Sequence, residues 1–444
     1  MRGGRPAAGR AGQPAARSVP PCTGTGWPSA NDMDGVPNLT QDPVRPGSTK
    51  TYEFTVPDPG TYWSHPHVGV QRAHGLHAPL IVEDRHERGD YDAEFVVVLD
   101  DWLDGMAAAP EQVRGTLRAA KGMHPGYRTD VEEGRIEDRS GTWEYDVPEA
   151  LAEPPAGVEP EPPQARLKRQ VDYPAYLING RLPTDPQTFT GNGRARIRLI
   201  NASGSTVFRV ALGEHRLTVT HTDGFPVEPV EVDTLQLGSG ERYDVVTDLK
   251  SGVFPLVGVA EGKKAQAFAV VRTSKAGSAP QPTAQPGGLG GELLWLTDLR
   301  ATAEVDTGSG TAGKTGTLYL TGDMMRFGWS INAKAYDPDR PFTSVEPLDI
   351  REGEPVRLDF VNQGNMYHPV HLHGHTFAVR EIADIAGGAP TRLPRGTRKD
   401  TVMVAPGRRV GVDFTADNPG QWLVHCHNAY HVATGMASLV SYVR

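Results

Sequence analysis

Short runs in which hydrophobic and polar residues alternate, or in which β-branched residues dominate, recur along most of the chain. Most of them are bounded by Gly, Pro, Asn or Asp, the residues that turns favour. The runs are TYEFTV (51–56), APLIVED (78–84), EFVVVLD (94–100), ARIRLIN (195–201), FRVAL (208–212), RLTVTH (216–221), RYDVVTD (242–248), VRLDFVN (356–362), TFAVREI (376–382), VGVDFTA (410–416) and QWLVHCH (421–427). This pattern predicts an all-β protein built from sandwiches or barrels.

Three segments interrupt the strand pattern. Helical periodicity appears only briefly, in PEQVRGTLRAAKG at 110–122. The Pro-, Gly- and Ser-rich stretch at 274–292 is typical of an interdomain linker, and the acidic, proline-rich stretch at 147–164 is typical of a disordered loop. The pattern predicts three β-domains, at about 1–92, 93–285 and 286–444.

Composition narrows the class of protein. The chain has 444 residues, 38% hydrophobic and 22% charged, and a net charge of −9, which indicates a soluble globular protein of two or three domains. The acidic balance argues against nucleic acid as a partner. No run of about 18 apolar residues predicts a membrane span, and the first 20 residues lack the apolar core of a signal peptide. Two cysteines, Cys22 and Cys426, do not suggest a disulfide framework.

The fifteen histidines are distributed unevenly along the chain. A single histidine is usually a surface residue or a hydrogen-bonded core residue, but clusters with fixed spacing suggest metal ligands. Three short clusters stand out, at His65-Pro-His67, at His368-Pro-Val-His371-Leu-His373-Gly-His375 and at His425-Cys426-His427 followed by His431 and Met436. His74 and His77 form a looser pair.

The third cluster has the pattern of two metal sites on one strand. Side chains alternate between the faces of a strand, so His425 and His427 point one way and Cys426 the other. A thiolate, two imidazoles and a weakly bound thioether form the ligand set of an electron-transfer copper. Cys426, His431 and Met436 supply three of these groups, and His368 can supply the fourth.

The opposite face of the same strand predicts a second, imidazole-rich site. His371 and His373 share a face by the same period of two and can meet His425 and His427 there. Such a site suits copper and dioxygen chemistry better than a structural zinc ion, which is normally closed by four ligands.

HPVHLHGH followed by HCHNAYHVATGM resembles the C-terminal copper motifs of the laccase-like multicopper oxidases. The resemblance covers roughly residues 31–444 and includes YWSHPHVGVQ (62–71), GLHAPLIVED (75–84), YPAYLINGRLP (173–183) and VEPVEVDTLQLGSGERYDVVTDL (227–249). It implies three cupredoxin domains, which are Greek-key β-barrels, with a copper-free middle domain. It also implies that a reductant is oxidised at a type 1 copper and that dioxygen is reduced to water at a trinuclear cluster.

The resemblance also implies a role for each histidine in the motifs. The type 1 ligands would be His368, Cys426, His431 and Met436, and the type 2 ligand would be His371. The ligands of the binuclear type 3 copper would be His65, His67, His373, His425 and His427. We expect His375 to be a hydrogen-bond donor beside the cluster. The remaining histidines, which we expect to be structural or on the surface, are His74, His77, His86, His124, His215 and His221.

The family cluster uses eight histidines, and six are found here. Relatives carry His-Trp-His-Gly just before a segment like NDMDGVP, where this chain has Thr23-Gly24-Thr25-Gly26. The codons of residues 21–28, read one nucleotide earlier, can encode Val-His-Trp-His-Gly-Leu-Ala. We therefore expect residues before about 31 to be an out-of-frame translation, with Cys22 not a ligand and the first domain incomplete at its N-terminus. The alternative is a true divergence with a degraded site.

Proton supply, reductant and location are expectations from the resemblance. Asp34 stands where related enzymes carry an acid that relays protons, although an Asp-Gly turn explains it almost as well. Val432 stands where some relatives have a second acid. Metal-oxidising members carry long methionine-rich segments and this chain has only Met324-Met325, so a phenol or aromatic amine is favoured over a metal ion. We expect the segment at 103–170 to shape the entrance, and the protein to work in the periplasm, the cell envelope or outside the cell.

Three other classes of protein compete with an oxidase. A two-domain copper nitrite reductase would share the type 1 chemistry, but it lacks the His-Cys-His sequence and the middle domain. A non-catalytic copper-binding or electron-transfer protein remains open if the missing histidines are truly absent. A purely structural β-protein does not explain the histidine spacing.

Resequencing of the DNA around codons 20–31 tests the frameshift hypothesis. We expect the bases to encode His-Trp-His-Gly in the neighbouring frame, because the third bases of the present codons permit it at the position where the motif is missing. Bases that cannot encode this motif in any frame would contradict the hypothesis and leave the divergent N-terminus as the explanation.

Overall fold

The computed structural model describes residues 29–85, 89–106, 109–114, 171, 173–305, 312–323 and 328–444, together with the backbone of residues 7–10 and 22–25. Of the predicted helix at 110–122, residues 110–114 are helical, and the rest lies outside the described residues. The predicted loop at 147–164, most of the 103–170 segment and the Met324-Met325 pair also lie outside them.

Strands dominate the described chain, which confirms the all-β prediction. The first part contains β1 (Ala7–Arg10), β2 (Cys22–Thr25), β3 (Thr51–Phe54), β4 (Gly60–Pro66) and β5 (Ala78–Val82). The middle part contains β6 (Ala93–Trp102), β7 (Ala175–Ile178), β8 (Gln187–Thr190), β9 (Arg194–Asn201), β10 (Phe208–Leu212), β11 (Leu217–Thr222), β12 (Phe225–Val232), β13 (Leu235–Leu237), β14 (Arg242–Asp248), β15 (Val253–Ala260) and β16 (Gln266–Arg272). The last part contains β17 (Lys314–Asp323), β18 (Gly328–Ile331), β19 (Leu348–Ile350), β20 (Pro355–Asn362), β21 (His368–Leu372), β22 (Phe377–Asp384), β23 (Thr391–Lys399), β24 (Thr401–Val404), β25 (Arg408–Thr415), β26 (Gln421–Cys426) and β27 (Ala437–Tyr442).

Helical structure is confined to short turns elsewhere in the described residues. The 3₁₀ turns are Asn31–Met33, Gln71–His74, Gly287–Gly290 and Leu296–Asp298, and the α-helical turns are Pro341–Ser344 and Ala429–Val432. None of the helices that the structure describes has the length and apolar character needed to cross a membrane.

The middle and last parts repeat one topology. The six-stranded sheet with order β12-β11-β14-β9-β6-β7 has its counterpart, strand for strand, in β23-β22-β25-β20-β17-β18. The five-stranded sheet β13-β10-β15-β16-β8 likewise corresponds to β24-β21-β26-β27-β19. Even the irregularities recur, because a shift in register interrupts β11 after Val219 and β22 after Val379. Two copies of one β-sandwich therefore make up most of the described chain.

A buried asparagine closes the same corner in both copies. Asn201 ends β9 and Asn362 ends β20, and neither is exposed to solvent. In each case the side-chain oxygen accepts from the backbone N–H two residues later, at 2.9–3.0 Å. The side-chain nitrogen donates to one carbonyl of the following loop and to one carbonyl of a strand far along the chain, at 2.7–2.9 Å. The asparagine thus supplies hydrogen-bond partners to two backbone carbonyls and one backbone N–H at this corner.

The first part is smaller. Its described strands form a three-stranded sheet, β2-β4-β5, and a two-stranded pair, β1-β3. In β5 the apolar side chains of Leu80, Ile81 and Val82 are only half-buried. A sheet that lacks part of its packing partner would expose its apolar residues in this way. The two domain boundaries, at 92/93 and 285/286, stay a prediction. The predicted linker at 274–292 contains only a short 3₁₀ turn, and Gln266 binds the carbonyls of Pro282 and Ala284 within it.

Replacement of the corner asparagine tests its role in the fold. Asn201→Ala should lower the free energy of unfolding by about 3 kcal/mol, because the Leu237 carbonyl and the Ser203 N–H would each lose this hydrogen bond in a buried site, and the Thr206 carbonyl would keep only the Ser203 hydroxyl. Asn362→Ala should cost a similar amount in the equivalent corner. Chemical denaturation followed by circular dichroism measures both. Variants within about 0.5 kcal/mol of the parent would show that water replaces the asparagine without loss.

Candidate copper centres

Strand β26 carries the central candidate ligands. It pairs antiparallel with β21, so that Val370 lies opposite Cys426 and His371 lies opposite His425. Because neighbouring residues of a strand point to opposite faces, Cys426 and His425 face different sides of this pair. The structure brings the candidate ligand atoms together in two separate groups, one containing Cys426 and the other His425.

The first group consists of His368, Cys426 and His431, all of which are buried. Nδ1 of His368 lies 3.6 Å and Nδ1 of His431 3.5 Å from Sγ of Cys426, and the two nitrogens are 3.1 Å apart. Met436 is also buried, and its carbonyl accepts a hydrogen bond from the backbone N–H of Cys426 at 3.0 Å. Two imidazoles and a thiol that converge in this way suit an electron-transfer copper.

Burial sets the protonation state of this group. It lowers the pKa of His368 to about 3 and holds the pKa of His431 well below its ordinary value, so both rings are neutral. It raises the pKa of the Cys426 thiol to about 12. A bound cation reverses the preference of the thiol, because a thiol that coordinates a metal ion loses its proton. The group therefore fits a copper ion, with neutral imidazoles and a thiol that releases its proton on binding.

The turn that follows β26 places His431. Asn428 precedes the helical turn Ala429–Val432, and its side-chain oxygen accepts from the backbone N–H groups of Tyr430 and His431. Trp329 of β18 stacks on the imidazole of His431, with ring centroids 4.2 Å apart and planes inclined by 22°. The cap and the indole together leave His431 one orientation, toward the thiol.

The second group lies on the other face of β26 and has His67, His373 and His425 at its centre. Nε2 of His373 and Nε2 of His425 are 3.1 Å apart. The other three candidates surround it, with ring centroids 4.8 Å apart for His65 and His67, 4.9 Å for His371 and His373, and 5.5 Å for His425 and His427. Six imidazoles from three distant segments of the chain thus converge in one site.

Hydrogen bonds to Nδ1 orient several of these rings. Nδ1 of His371 binds the carbonyl of Asp400 at 2.8 Å, and Nδ1 of His373 binds the carboxylate of Asp34 at 2.9 Å. Nδ1 of His425 binds the carbonyl of the next residue at 2.8 Å. With the proton held on Nδ1, the other ring nitrogen keeps its lone pair for a metal ion. Metal-binding histidines are commonly fixed in this manner.

The Nε2 atoms of His67, His371 and His427 are buried and have no hydrogen-bond partner among the described residues. Burial lowers the pKa of all three rings, which keeps them neutral and able to bind a metal ion. His427 differs in one respect, because Nη1 of Arg72 donates to its Nδ1 at 2.6 Å. In this arrangement the proton of the ring lies on Nε2, so Nε2 can bind a metal ion only when the proton moves to Nδ1 and the bond from Arg72 breaks.

The backbone makes room for His427. Gly240 has φ +92°, and a Cβ at this position would lie 2.7 Å from the His427 ring. Both the left-handed conformation and the close approach therefore require glycine. Arg72 also donates to the carbonyl of His427 at 2.7 Å, so the ring is held from two sides.

The middle part has the same strand register without these ligands. Val210, the third residue of β10, pairs with Gly258, whereas Val370, the third residue of β21, pairs with Cys426. In the next row Ala211 pairs with Val257, where the last part pairs His371 with His425.

Comparison with known proteins decides the family. Models of the multicopper oxidase family match residues 22–87, 157–276 and 312–443. The chain is 42% identical over 423 residues to multicopper oxidase MmcO of Mycobacterium tuberculosis (strain ATCC 25618 / H37Rv), covering 93% of this chain and 75% of that protein. The chain belongs to the multicopper oxidase family. Members of this family use type 1, type 2 and type 3 copper, so copper is the cofactor, and the two groups of ligand atoms suit it.

More distant relatives of this multicopper oxidase have several functions. Copper resistance protein A of Escherichia coli is 25% identical over 516 residues, covering 91% of this chain and 81% of that protein. Laccase-2 of Botryotinia fuckeliana is 27% identical over 444 residues, covering 91% and 69%. The crystal structure of Fet3p, a multicopper oxidase that functions in iron import, has a TM-score of 0.73 at 20% identity, covering 97% of this chain and 81% of that one. This likeness confirms the cupredoxin-like fold.

The stretch that lacks the expected His-x-His motif lies beside the second group. In β2, Thr23 pairs with His65 and Thr25 pairs with Trp63 of β4. Residues directly opposite each other share a face of the sheet, so a histidine at position 23 would project to the same side as His65. The first family model also begins its match at residue 22. The backbone at 22–25 therefore occupies a suitable position for the missing motif, and the frameshift itself stays a prediction.

The other histidines have different partners. His74 binds Asp104 at 2.9 Å and Glu111 at 3.0 Å, and His77 binds Asp100 at 3.0 Å, so carboxylates engage both. His375, expected to be a donor beside the cluster, binds the hydroxyl of Tyr442 at 2.7 Å and the carbonyl of His373 at 3.1 Å. His86 and His124 lie outside the described residues.

Arg72 and Asp400 also contact candidate ligands, and no motif in the sequence predicts this. Arg72 is buried although it lies in a short 3₁₀ turn, where an arginine is normally exposed. The only signal for Asp400 is its position between Lys399 and the apolar strand β24.

A cavity of about 220 Å³ opens beside the second group and is lined by His65, His67, His425 and His427, with Val432 also contributing.

Substitution of the thiol tests the first group. Cys426→Ser should abolish the intense blue band of the copper-loaded protein, because the absorption depends on the copper–thiolate bond. Met436→Leu is the control: it should keep the colour and raise the reduction potential, since a weak axial donor stabilises oxidised copper. Visible absorption and redox titration measure these effects. A blue band that survives Cys426→Ser would remove the assignment.

Proposed function

We propose that this multicopper oxidase couples one-electron oxidation of a reductant at a type 1 copper to four-electron reduction of dioxygen to water at a trinuclear copper cluster. The observation that carries the proposal is the arrangement of β26 and its end: the Cys426 thiol belongs to one group of ligand atoms, and His425 belongs to the other. A reductant site and a dioxygen site are thereby joined through neighbouring residues of one chain. Bound copper would supply the redox chemistry at both.

The chain provides two short routes for electrons between the groups. One is covalent, along the backbone from Cys426 to His425 and His427. The other is the hydrogen bond from Nδ1 of His425 to the carbonyl of Cys426, at 2.8 Å. Both routes lie in the core and are free of mobile segments, since β26 pairs with β21 and β27 on its two sides.

We propose Asp34 as the residue that delivers protons. One oxygen of its carboxylate binds Nδ1 of His373 at 2.9 Å. The other oxygen, Oδ2, is buried without a hydrogen-bond partner among the described residues. A carboxylate next to the cluster with one open oxygen can pass a proton to or from water. Val432 lines the cavity beside the cluster and cannot do this, so we assign no second relay there.

The proposed reductant is a phenol or an aromatic amine, with a metal ion as the alternative. The likeness to Laccase-2 supports the laccase-like activity, and the names of copper resistance protein A and Fet3p keep a metal ion open. We further propose that the protein works in the periplasm, the cell envelope or outside the cell, on the basis of the family resemblance.

A second candidate function is that of an impaired copper-binding or electron-transfer protein. Threonines stand at positions 23 and 25, opposite His65 and Trp63, where the trinuclear cluster needs two more histidines. The first group, by contrast, lies wholly within residues 368–436. In this case the chain as written would be blue but would consume little dioxygen.

Restoration of the motif tests the proposed function. The triple substitution Thr23→His, Gly24→Trp and Thr25→His should complete the cluster and raise oxygen uptake with a phenolic donor by at least about 100-fold over the chain as written, because missing ligands cost more than the 10- to 100-fold loss seen for outer partners. Oxygen electrode measurements and copper content per chain should rise together.

A matched control is available in β3. Thr51→His with Glu53→His places two exposed histidines on either side of the buried Tyr52, away from the candidate ligands. This variant should leave both readouts unchanged. A blue restored chain without oxygen uptake would contradict the oxidase function, and full activity of the unrestored chain would show that other residues complete the cluster.

A further inference from the structure

A network of buried charges lies behind the second group of histidines. It contains Arg242 and Lys399 on the positive side and Asp223, Asp400 and Glu241 on the negative side, and none of the five is appreciably exposed. Three of these residues come from the middle part of the chain, and two come from the last part. The network therefore crosses the junction between the two sandwiches.

Arg242 is the centre of this network, because every N–H of its guanidinium has a partner. Nη1 donates to Oδ1 of Asp400 at 2.7 Å and Nη2 to Oδ2 at 2.5 Å, which is a bidentate pair. The remaining donors bind the carbonyls of Gly240, Asp223 and Thr61 at 3.0–3.3 Å. A fully satisfied guanidinium in a dry site has a single orientation, so its partners are fixed as well.

On one side Arg242 acts on His371. The carbonyl of Asp400 accepts from Nδ1 of His371 at 2.8 Å, and Oδ1 of the same residue lies 3.3 Å from this nitrogen. The hydroxyl of Thr401 donates to that oxygen at 2.7 Å. Arg242 thus fixes Asp400 by binding its carboxylate, and the backbone carbonyl of Asp400 in turn orients the His371 ring.

On the other side Arg242 acts on β4, the strand that leads to His65 and His67. Its Nε donates to the carbonyl of Thr61 at 3.0 Å, four residues before His65. Arg242 belongs to the middle part, so a single side chain contacts both the last part, which carries His371, and the first part, which carries His65. Residues from separate sandwiches must be held to within a fraction of an ångström to share a metal ion.

We propose that Arg242 is the positioning residue of the second copper group, which sets His371 through Asp400 and sets the β4 histidines through Thr61. The inference rests on the proposed function only in taking these histidines as copper ligands. What matters here is the arrangement of the N–H donors of the guanidinium and not its positive charge alone. Lysine keeps the charge but has three donors on one nitrogen and cannot make the bidentate pair and the Thr61 bond together.

The experiment measures Cu²⁺ binding in the full chain with Cys426→Ser, which removes the thiol of the first group, and with His368→Ala, which removes one of its two imidazoles. Arg242→Lys and, separately, Asp400→Asn should weaken Cu²⁺ binding about 10- to 100-fold, the usual effect of losing an outer partner of a ligand. The EPR spectrum of the bound Cu²⁺ should change in both variants, because the arrangement of the nitrogen ligands changes. Calorimetric titration gives the affinity without any turnover.

Arg209→Lys is the matched control. Arg209 is a largely buried arginine of β10 that binds the carboxylate of Glu261 at 2.5 Å and the carbonyl of Leu289 at 3.4 Å. Glu261 belongs to the middle part of the chain and Leu289 to the predicted linker, and neither is a candidate ligand or part of the Arg242 network. This variant should bind Cu²⁺ like the parent. With Cys426 and His368 intact, the blue band of the Arg242→Lys protein should persist, which shows that the last part is folded.

Three results would overturn the inference. If Arg242→Lys binds Cu²⁺ as tightly as Arg209→Lys with an unchanged EPR spectrum, Arg242 does not position the group. If Asp400→Asn alone has no effect, the route to His371 is wrong. If neither the parent nor the chain with Thr23→His, Gly24→Trp and Thr25→His binds Cu²⁺ in the histidine group, the proposed function fails together with the inference. That outcome is distinct from the first two, because copper is then absent before Arg242 or Asp400 is changed.

Discussion

The antiparallel pairing of β21 with β26 is the constraint on which both candidate copper groups depend. One row of this pair contains Cys426 and the next contains His371 and His425, so the two groups lie on opposite faces of the same two strands. A slip of one residue would exchange the faces and send the thiol to the imidazole-rich side. β24 and β27 flank the pair, and the apolar side chains of Val370, Leu372 and Val424 fill its faces. The register is therefore fixed by packing, before any metal ion binds.

Burial determines the protonation states of the candidate ligands. It keeps the candidate imidazoles neutral and the thiol protonated, which is the state in which a protein without metal avoids uncompensated charge. The nearby ion pairs follow the opposite rule: Arg242, Lys399 and Asp400 stay charged, because the opposite charges around them shift the pKa of each group in favour of its charged form. Such a network adds little net stability, but removal of one member leaves an unpaired charge and is costly. It is well suited to specifying how separate sandwiches meet.

The repeated sandwich explains how one fold serves two purposes. The middle part has the same strand orders and the same asparagine corner as the last part, but it carries Gly258 and Ala211 where the last part carries Cys426 and His371. It contributes instead side chains that lie behind the second candidate group, among them Ser239, which contacts His427, and Arg242, which binds the carbonyl of Thr61. The first part is the smallest, and its sheet contains the threonines at the positions where the cluster lacks histidines.

Much of this protein could be predicted from the sequence alone. Alternation with a period of two located the strands, for example 195–201 against Arg194–Asn201 and 356–362 against Pro355–Asn362 in the structure. The same period separated Cys426 from His425 and His427, because the alternation of side chains is a local property of a strand. The motif spacing also identified the family. These features depend on neighbours in sequence, so the sequence determined them.

The tertiary structure decided the rest. Arg72, Arg242 and Asp400 lie far apart in sequence, in segments with no ligand pattern, and each touches a histidine or its partner only after three sets of sheets have packed together. The same holds for Asn201, whose partners include the carbonyl of Leu237 on another strand. In the sequence, a polar residue within an apolar run is visible only as a departure from the hydrophobic pattern. Which group satisfies it depends on contacts between distant segments, and these arise from the packing of the whole chain.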